Sequence, residues 1–289
     1  MKTIAIIGAG RLGTSLGIAL KKNGYQIKAL SCLSLSSARE SSRLIGEGQP
    51  YTDNLKAAGT SRIIIITIPD DKIKTSAEEL AAGIPDWEEK LVWHCSGLLP
   101  SRILDPLKAK GALTASVHPV QAFAKKNAAP DVFKGIYFSL EGSTKAQQAS
   151  KAIIKKLSGH SFVIKEEDKP LYHAACSIAS NFLLILLESA SSLLQKLGNS
   201  PEQALKILLP LVQGTLQNVK NFNTRTALTG PIARGDIKTI SSQLEALRKH
   251  PPHYEMFLKL ASQTLEMAIQ KNKISSQNAK IFKALLEEK

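Results

Sequence analysis

Residues 1–13 read Met1-Lys2-Thr3-Ile4-Ala5-Ile6-Ile7-Gly8-Ala9-Gly10-Arg11-Leu12-Gly13. Met1–Ile7 predicts a short apolar strand, and the run that continues to Lys22 predicts a helix. Gly8, Gly10 and Gly13 form G-x-G-x-x-G between them, the strand–turn–helix context in which this pattern holds a dinucleotide. Gly8 permits the tight turn, Gly10 lets a pyrophosphate approach the backbone, and Gly13 lets the helix pack on the strand. The free N–H groups of the helix start then face the phosphates. Arg11 and Leu12 lie inside the motif and join the three glycines as candidate cofactor contacts. The bland alternative is a glycine-rich turn that binds nothing.

Working outward, the first half alternates strand and helix patterns. Strands are expected at Gln26–Leu33, Arg62–Ile68, Lys90–His94, Ala112–Val117, Ile136–Leu140 and Phe162–Lys165. The isoleucine run at 62–68 is the pattern of a parallel strand buried on both faces. Such βαβ alternation implies a doubly wound parallel sheet, a Rossmann domain. Ligands of these sheets lie at the carboxyl ends of the strands. Gly8–Gly13, Pro69–Asp71, His94–Gly97 and His118–Gln121 all fall there. From Lys169 onward helical periodicity replaces strand signal. Pro170–Leu197 reads as one long helix stopped by Gly198, Pro201 opens another at its first position, and Asp236 is a plausible cap for a later one. The expected fold is α/β: an N-terminal doubly wound parallel Rossmann sheet over residues 1–165, followed by an all-helical C-terminal domain over 166–289.

The chain has 289 residues and a net charge of +14, with three cysteines. That length suits two domains. The basic excess is mostly scattered lysine, with doublets only at Lys21-Lys22, Lys125-Lys126 and Lys155-Lys156. No basic run with interleaved aromatics suggests nucleic acid, whereas a basic surface attracts an anionic cofactor and a small anionic substrate. No signal-peptide pattern precedes the first strand. The most apolar window, Ser177–Ala190, is interrupted by Asn181 and Glu188 and reads as too short to span a membrane. Cys32, Cys95 and Cys176 lack metal spacing and suit a reducing cytoplasm. No metal-ligand cluster is evident.

An NAD site usually carries Asp or Glu at the end of the second strand, on the ribose 2′-OH. Here that region is Leu30-Ser31-Cys32-Leu33-Ser34, with no acid before Glu40. Small hydroxylated residues such as Ser31 suit a 2′-phosphate, and Arg11, Arg39 or Arg43 offers positive charge. NADP is therefore expected over NAD, with Pro69 at the end of the isoleucine strand as a further contact.

On an ideal helix, His173, Ser177 and Asn181 stack at i, i+4 and i+8. The other directions carry Ala174, Ala175, Ile178, Phe182, Leu183, Ile185 and Leu186, so the helix should be mostly buried. Its polar stripe then needs solvent or a polar cavity, and these three residues are the catalytic candidates. Glu188 lies about 22 Å along the axis from His173 at 1.5 Å per residue, too far to share one small substrate. Thr229-Gly230-Pro231 and Arg234 could meet a substrate carboxylate, or simply connect helices with Arg234 paired to Asp236. His118, held extended before Pro119, and Ser96, in a strand-ending Ser-Gly turn, are further candidates for the substrate.

Five segments together carry a resemblance: Gly8–Gly13, His94-Cys95-Ser96-Gly97, His118-Pro119-Val120-Gln121, Tyr172-His173-Ala174-Ala175 through Asn181, and Leu228-Thr229-Gly230-Pro231 through Asp236. The chain resembles, over essentially its whole length, a family of Rossmann-like oxidoreductases with a helical C-terminal domain of unassigned function. That family belongs with the 6-phosphogluconate, β-hydroxyacid and ketopantoate dehydrogenases and pyrroline-5-carboxylate reductase. Some members look like an alternative ketopantoate reductase. The β-hydroxyacid dehydrogenases use a lysine on the first interdomain helix as proton donor, with an Asn one turn on. Here no Lys lies between Lys169 and Lys196, and His173 occupies the comparable stretch.

The resulting expectation is an NADP-dependent reductase of a small α-keto or imino acid. His173, an imidazole that ordinarily titrates near 6.5, gives the proton, Asn181 meets the substrate oxygen, and Arg234 or the Thr229 loop holds the carboxylate. The alternative is an NAD(P)-binding sensor or interaction protein without turnover. A homodimer is expected through the helical domain, whose Ile207–Leu211 and Phe257–Leu260 runs carry more apolar surface than a small domain buries.

Overall fold

The computed structural model describes residues 3–127, 129–271 and 274–287. Two compact units divide the chain, Met1–Asn181 and Phe182–Lys289. In order, the first unit contains β1 (Thr3–Ile7), α1 (Arg11–Lys22), β2 (Gln26–Ser31), α2 (Leu35–Ile45), β3 (Gln49–Tyr51), α3 (Asn54–Ala58), β4 (Ile63–Ile66), α4 (Asp70–Gly83) and β5 (Leu91–His94). Then come α5 (Asp105–Lys108), β6 (Leu113–Pro119), β7 (Tyr137–Gly142), α6 (Thr144–Lys156), β8 (His160–Val163) and α7 (Lys169–Ser177). Met1 and Lys2 of the expected first strand lie outside the described residues.

All eight strands form one sheet in the order β3-β2-β1-β4-β5-β6-β7-β8. Side chains alternate across it, as the strand repeat requires. Ile65 packs with Leu16, Leu20, Trp93 and Phe138 on one face. Its neighbours Ile64 and Ile66 pack with Ile73, Leu80 and Trp87 on the other. Each fully buried isoleucine stabilises the sheet by about 1.5–3 kcal/mol. Helices α1, α2 and α6 line the first face, and α3, α4 and α5 the second.

Three expectations need correction. The strands from β3 to β6 are parallel, but β7 runs antiparallel to β6, and β8 parallel to β7. The chain enters β7 from a connection without a crossover helix, so it returns in the opposite direction. Gln49-Pro50-Tyr51 forms an edge strand that the sequence reading passed over, because three residues with a central proline carry no apolar period. The division between the units falls at Asn181/Phe182, not at 165/166. Residues 169–172 belong with the sheet because Lys169 Nζ bonds Ser116 Oγ and the Tyr172 hydroxyl bonds His118 Nδ1.

Within the long helix expected here, a π turn at Ile178–Phe182 interrupts the α-helical pattern. The second unit follows with α8 (Leu183–Lys196), α9 (Pro201–Ala227), α10 (Pro231–Arg234), α11 (Ile237–Leu247), α12 (Pro251–Ile269) and α13 (Ser276–Glu287). Its described residues contain only helices. Ser200 and Gln203 form a reciprocal capping box at the start of α9, and Asp236 accepts from Thr239 N to cap α11. The core gathers Ile232, Ile240, Leu244, Ala261, Leu265 and Phe282, with Phe257 and Leu258 packed against it. Helix α8 packs on α9. Leu184, Ile185, Ile207 and Leu211 remain exposed on this pair.

That exposure corrects the expectation of a mostly buried long helix. The continuous helix Glu166–Lys196 has 31 residues and a window of mean hydropathy 1.5, long and apolar enough by composition to cross a membrane. The expectation that the stretch is too short therefore fails once helix on both sides of Ser177–Ala190 is included.

Candidate active site

The turn after β1 is held from three directions. Gly8 N and Ala9 N donate to Ser31 O at the end of β2, at 3.0 and 2.9 Å. Thr67 Oγ1, just past β4, donates to Gly8 O at 2.7 Å. Ala9 O accepts from Thr14 Oγ1 at 3.0 Å and from Ser41 Oγ at 2.7 Å. A Cβ on Gly8 would lie 2.4 Å from Ile68 Cγ2, and one on Gly13 only 2.4 Å from Thr67 Oγ1 and 2.9 Å from Gly8 O. The fold itself therefore needs those two glycines.

Gly10 is different. A Cβ there would meet nothing nearer than Gly8 O at 3.8 Å. The open space above Gly10 is therefore available to a ligand. Helix α1 begins at this point with no side-chain cap and no acid in its first turn, so its first N–H groups have no side-chain acceptor. An uncapped helix start with an open approach fits a pyrophosphate. Arg11 is exposed and Leu12 half-buried beside it, and Pro69 is exposed immediately before α4. Ser31 is fully buried, and its hydroxyl donates to Asn54 Oδ1 at 2.7 Å. It shapes the end of β2 and is not free to meet a phosphate.

A second cluster forms at the ends of β5 and β6. His118 is the penultimate residue of β6, opposite Ser139 of β7, so it lies within the strand and not after it. Its Nδ1 lies 2.6 Å from the Tyr172 hydroxyl. His173, the next residue on α7, sets its ring 6.2 Å from that of His118, edge to face. Gly97 fits between them: a Cβ there would fall 2.6 Å from His173 Cδ2 and 3.1 Å from His118 Nε2. Burial pushes His118 down to about 4, helped by the charges of His173 and Lys169. The same effect raises the Tyr172 phenol. The phenol keeps its proton, and it shares with His118 Nδ1 one hydrogen bond whose direction follows the imidazole tautomer.

Behind this pair lies a buried polar network that includes a residue absent from the sequence-based candidates. Lys169 is fully buried. Its ammonium donates to Ser116 Oγ at 2.8 Å and to Ser96 O at 3.5 Å, and Ser116 Oγ donates in turn to Ser96 O at 3.2 Å. Burial lowers the Lys169 pKa, opposed by the charges of Glu141 and Asp70. Ser96 Oγ donates to Asp70 Oδ2 at 2.7 Å and accepts from Leu98 N and Leu99 N. Ser96 is thus committed to its turn, and the structure corrects its expected role as a free substrate contact. Lys169 precedes His173 by one helical turn, so the i, i+4 spacing was a signal that could have found it.

Ser177 is half-buried, and Asn181 is exposed inside the π turn. The ideal i, i+8 stacking of Asn181 on His173 therefore does not apply. Thr229 and Arg234 belong to the second unit, around the four-residue α10. Arg234 is exposed, and its charge helps to lower the Asp236 carboxyl, after the hydrogen bonds from Thr239. The two-histidine cluster is built wholly from the first unit.

Residues 2–119 match the Rossmann-like domain. Residues 136–264 match a domain of unknown function, DUF2520. A candidate NADP oxidoreductase from Bacteroides fragilis shares 26% identity at a TM-score of 0.76, over 91% of this chain and 97% of that one. Glycerol-3-phosphate dehydrogenase [NAD(P)+] of Coxiella burnetii is 25% identical over 81% of this chain and 72% of its own length. A pyrroline-5-carboxylate reductase from Coxiella burnetii, at 16% identity and a TM-score of 0.59 over 93% of this chain and 98% of that one, shares the fold. The two matched stretches and the likeness to the Bacteroides fragilis protein thus give the chain an NAD(P)-dependent oxidoreductase-like fold.

Proposed function

We propose that this chain is an NADP-dependent reductase of a small α-keto or imino acid, with the chemistry centred on His173 and His118. The observation that carries this reading is the convergence of Gly97, His118, Tyr172 and His173 at strand ends of the sheet whose β1 end carries the open Gly10 cradle. Bound NADPH would supply a hydride to the carbonyl or imine carbon, and the oxygen or nitrogen must then take a proton. His173 is the residue assigned to give it. His118 stays neutral and is oriented by Tyr172, so its Nε2 presents a fixed hydrogen-bonding atom toward the same space. Lys169 fixes the Ser96–Gly97 turn on which both imidazoles close. The missing acid after β2 supports NADP over NAD, and the resemblance among family members makes ketopantoate the first substrate to try.

The exposed apolar residues of α8 and α9 support a homodimer through the helical unit, and the free cysteines suit a reducing cytoplasm. The test is NADPH oxidation with a panel of α-keto and imino acids beginning with ketopantoate, and NADP⁺ reduction with glycerol 3-phosphate. One member should turn over, and His173→Ala should lower its kcat by about 10²–10⁴, the usual range for a general acid. NADPH affinity should stay unchanged in that variant. Tight NADPH binding with no turnover across the panel would favour a sensor without catalysis.

A further inference from the structure

Cofactor choice in a Rossmann domain is made where β2 hands over to α2. In this chain Gly8 N and Ala9 N bond to the last residue of β2, so the pyrophosphate loop and that exit are stitched together. Ser34 caps α2 there, and its hydroxyl accepts from Ser37 N. The sequence supplies Arg39 and Arg43 on α2 itself, both exposed. The structure brings in another cation from a distant loop. Lys126 Nζ lies 2.8 Å from Ser37 Oγ, on the first turn of α2, and 2.6 Å from Glu40 Oε2 one turn on. Its backbone lies near α1 as well, with Lys126 O 3.4 Å from Ser15 Oγ, whose shorter bond goes to Arg11 O at 2.7 Å. The loop thus reaches both α1, which follows the glycine turn, and α2, which follows the β2 exit.

We infer that Lys126 is the specificity-determining cation for the 2′-phosphate of NADPH, with Glu40 as its partner when no phosphate is bound. This rests on the reading of the first unit as a nicotinamide-dinucleotide site. The Lys126 side chain is 24% exposed, against 48% for Glu40, so it is the more firmly held of the two. Its hydrogen bond and charge keep the Glu40 carboxyl below its ordinary range. A phosphate dianion at the first turn of α2 carries more charge and more acceptor oxygens than that carboxylate, and takes over the ammonium. NADH brings a 2′-hydroxyl instead and leaves the Lys126–Glu40 pair intact.

The experiment is a fluorescence titration of NADPH and NADH against the full chain, with 2′-AMP as a competitor. Lys126→Met should weaken NADPH by about tenfold or more, weaken 2′-AMP in parallel, and leave NADH within about twofold. Lys126→Gln should do the same, and Arg39→Met and Arg43→Met should keep the wild-type preference. If Lys126→Met retains the full NADPH-to-NADH ratio, or an arginine variant alone abolishes it, the assignment to Lys126 is overturned while NADP binding stands. A wild type that binds both nucleotides equally overturns the assignment and leaves dinucleotide binding intact. A wild type that binds neither removes the underlying reading as well.

Discussion

Gly10 and Gly13 are three residues apart in one motif, yet they answer to different constraints. A side chain at 13 strikes Thr67 and the backbone of Gly8, whereas one at 10 enters open space. Gly13→Val should therefore unfold or severely destabilise the first unit. Gly10→Val should fold normally, with an unchanged thermal midpoint, and lose NADPH binding in the same fluorescence titration. Binding retained in folded Gly10→Val would place the dinucleotide elsewhere. The histidines make a second prediction. Burial holds His118 at about 4 and His94 at about 3, whereas in the unfolded chain each titrates near 6.5. As pH falls from about 6.5 toward those values, the unfolded state takes up protons that the folded state refuses, so stability drops. Urea midpoints measured at pH 7 and pH 5 should show the loss, and His94→Gln should reduce it. Equal midpoints at both pH values would show that these imidazoles are not held neutral.

Helix α7 is anchored through its first turn. Lys169→Ala removes a long buried stem and leaves Ser116 and Ser96 short of a donor, and should destabilise the first unit by about 2–4 kcal/mol. Equilibrium unfolding in urea measures it, and a loss below about 0.5 kcal/mol, the range of an ordinary surface substitution, would deny the anchor. Nothing in composition marks this lysine, because the residue type is normally a surface one and its partners are 53 and 73 positions away. The parts legible in the sequence were those written in local periodicity. The isoleucine run of β4, the glycines after β1, the Pro201 helix start, the Asp236 cap and the change to helix near residue 169 all announce themselves within a few residues. Strand direction does not, since a strand buried on both faces reads alike either way round, and β7 was accordingly misjudged. The site was half legible: His118 and His173 stood out singly, but Tyr172 and Gly97 entered only within longer quoted segments, because nothing local shows that they meet the two imidazoles.

The helical unit leaves Leu184, Ile185, Ile207 and Leu211 in solvent. If a second copy covers them, light scattering at micromolar concentration should report a dimer, and Ile207→Glu with Leu211→Glu should return it to monomer without loss of helicity. A wild-type monomer would refute the dimer, and recovery only in detergent or on vesicles would assign the face to lipid. The topology also separates the two halves of the function in time. The glycine turn needs β2, α2 and Thr67, so every contact that shapes it exists once roughly the first quarter of the chain has been made. The two-histidine cluster waits for Lys169 and Tyr172, about a hundred residues later. At roughly 5–20 residues per second of synthesis, a nascent chain would carry the shaped glycine turn for some seconds before Lys126 and the two-histidine cluster exist. If that turn holds the proposed dinucleotide, the dinucleotide would meet the growing polypeptide as a folding ligand before any turnover.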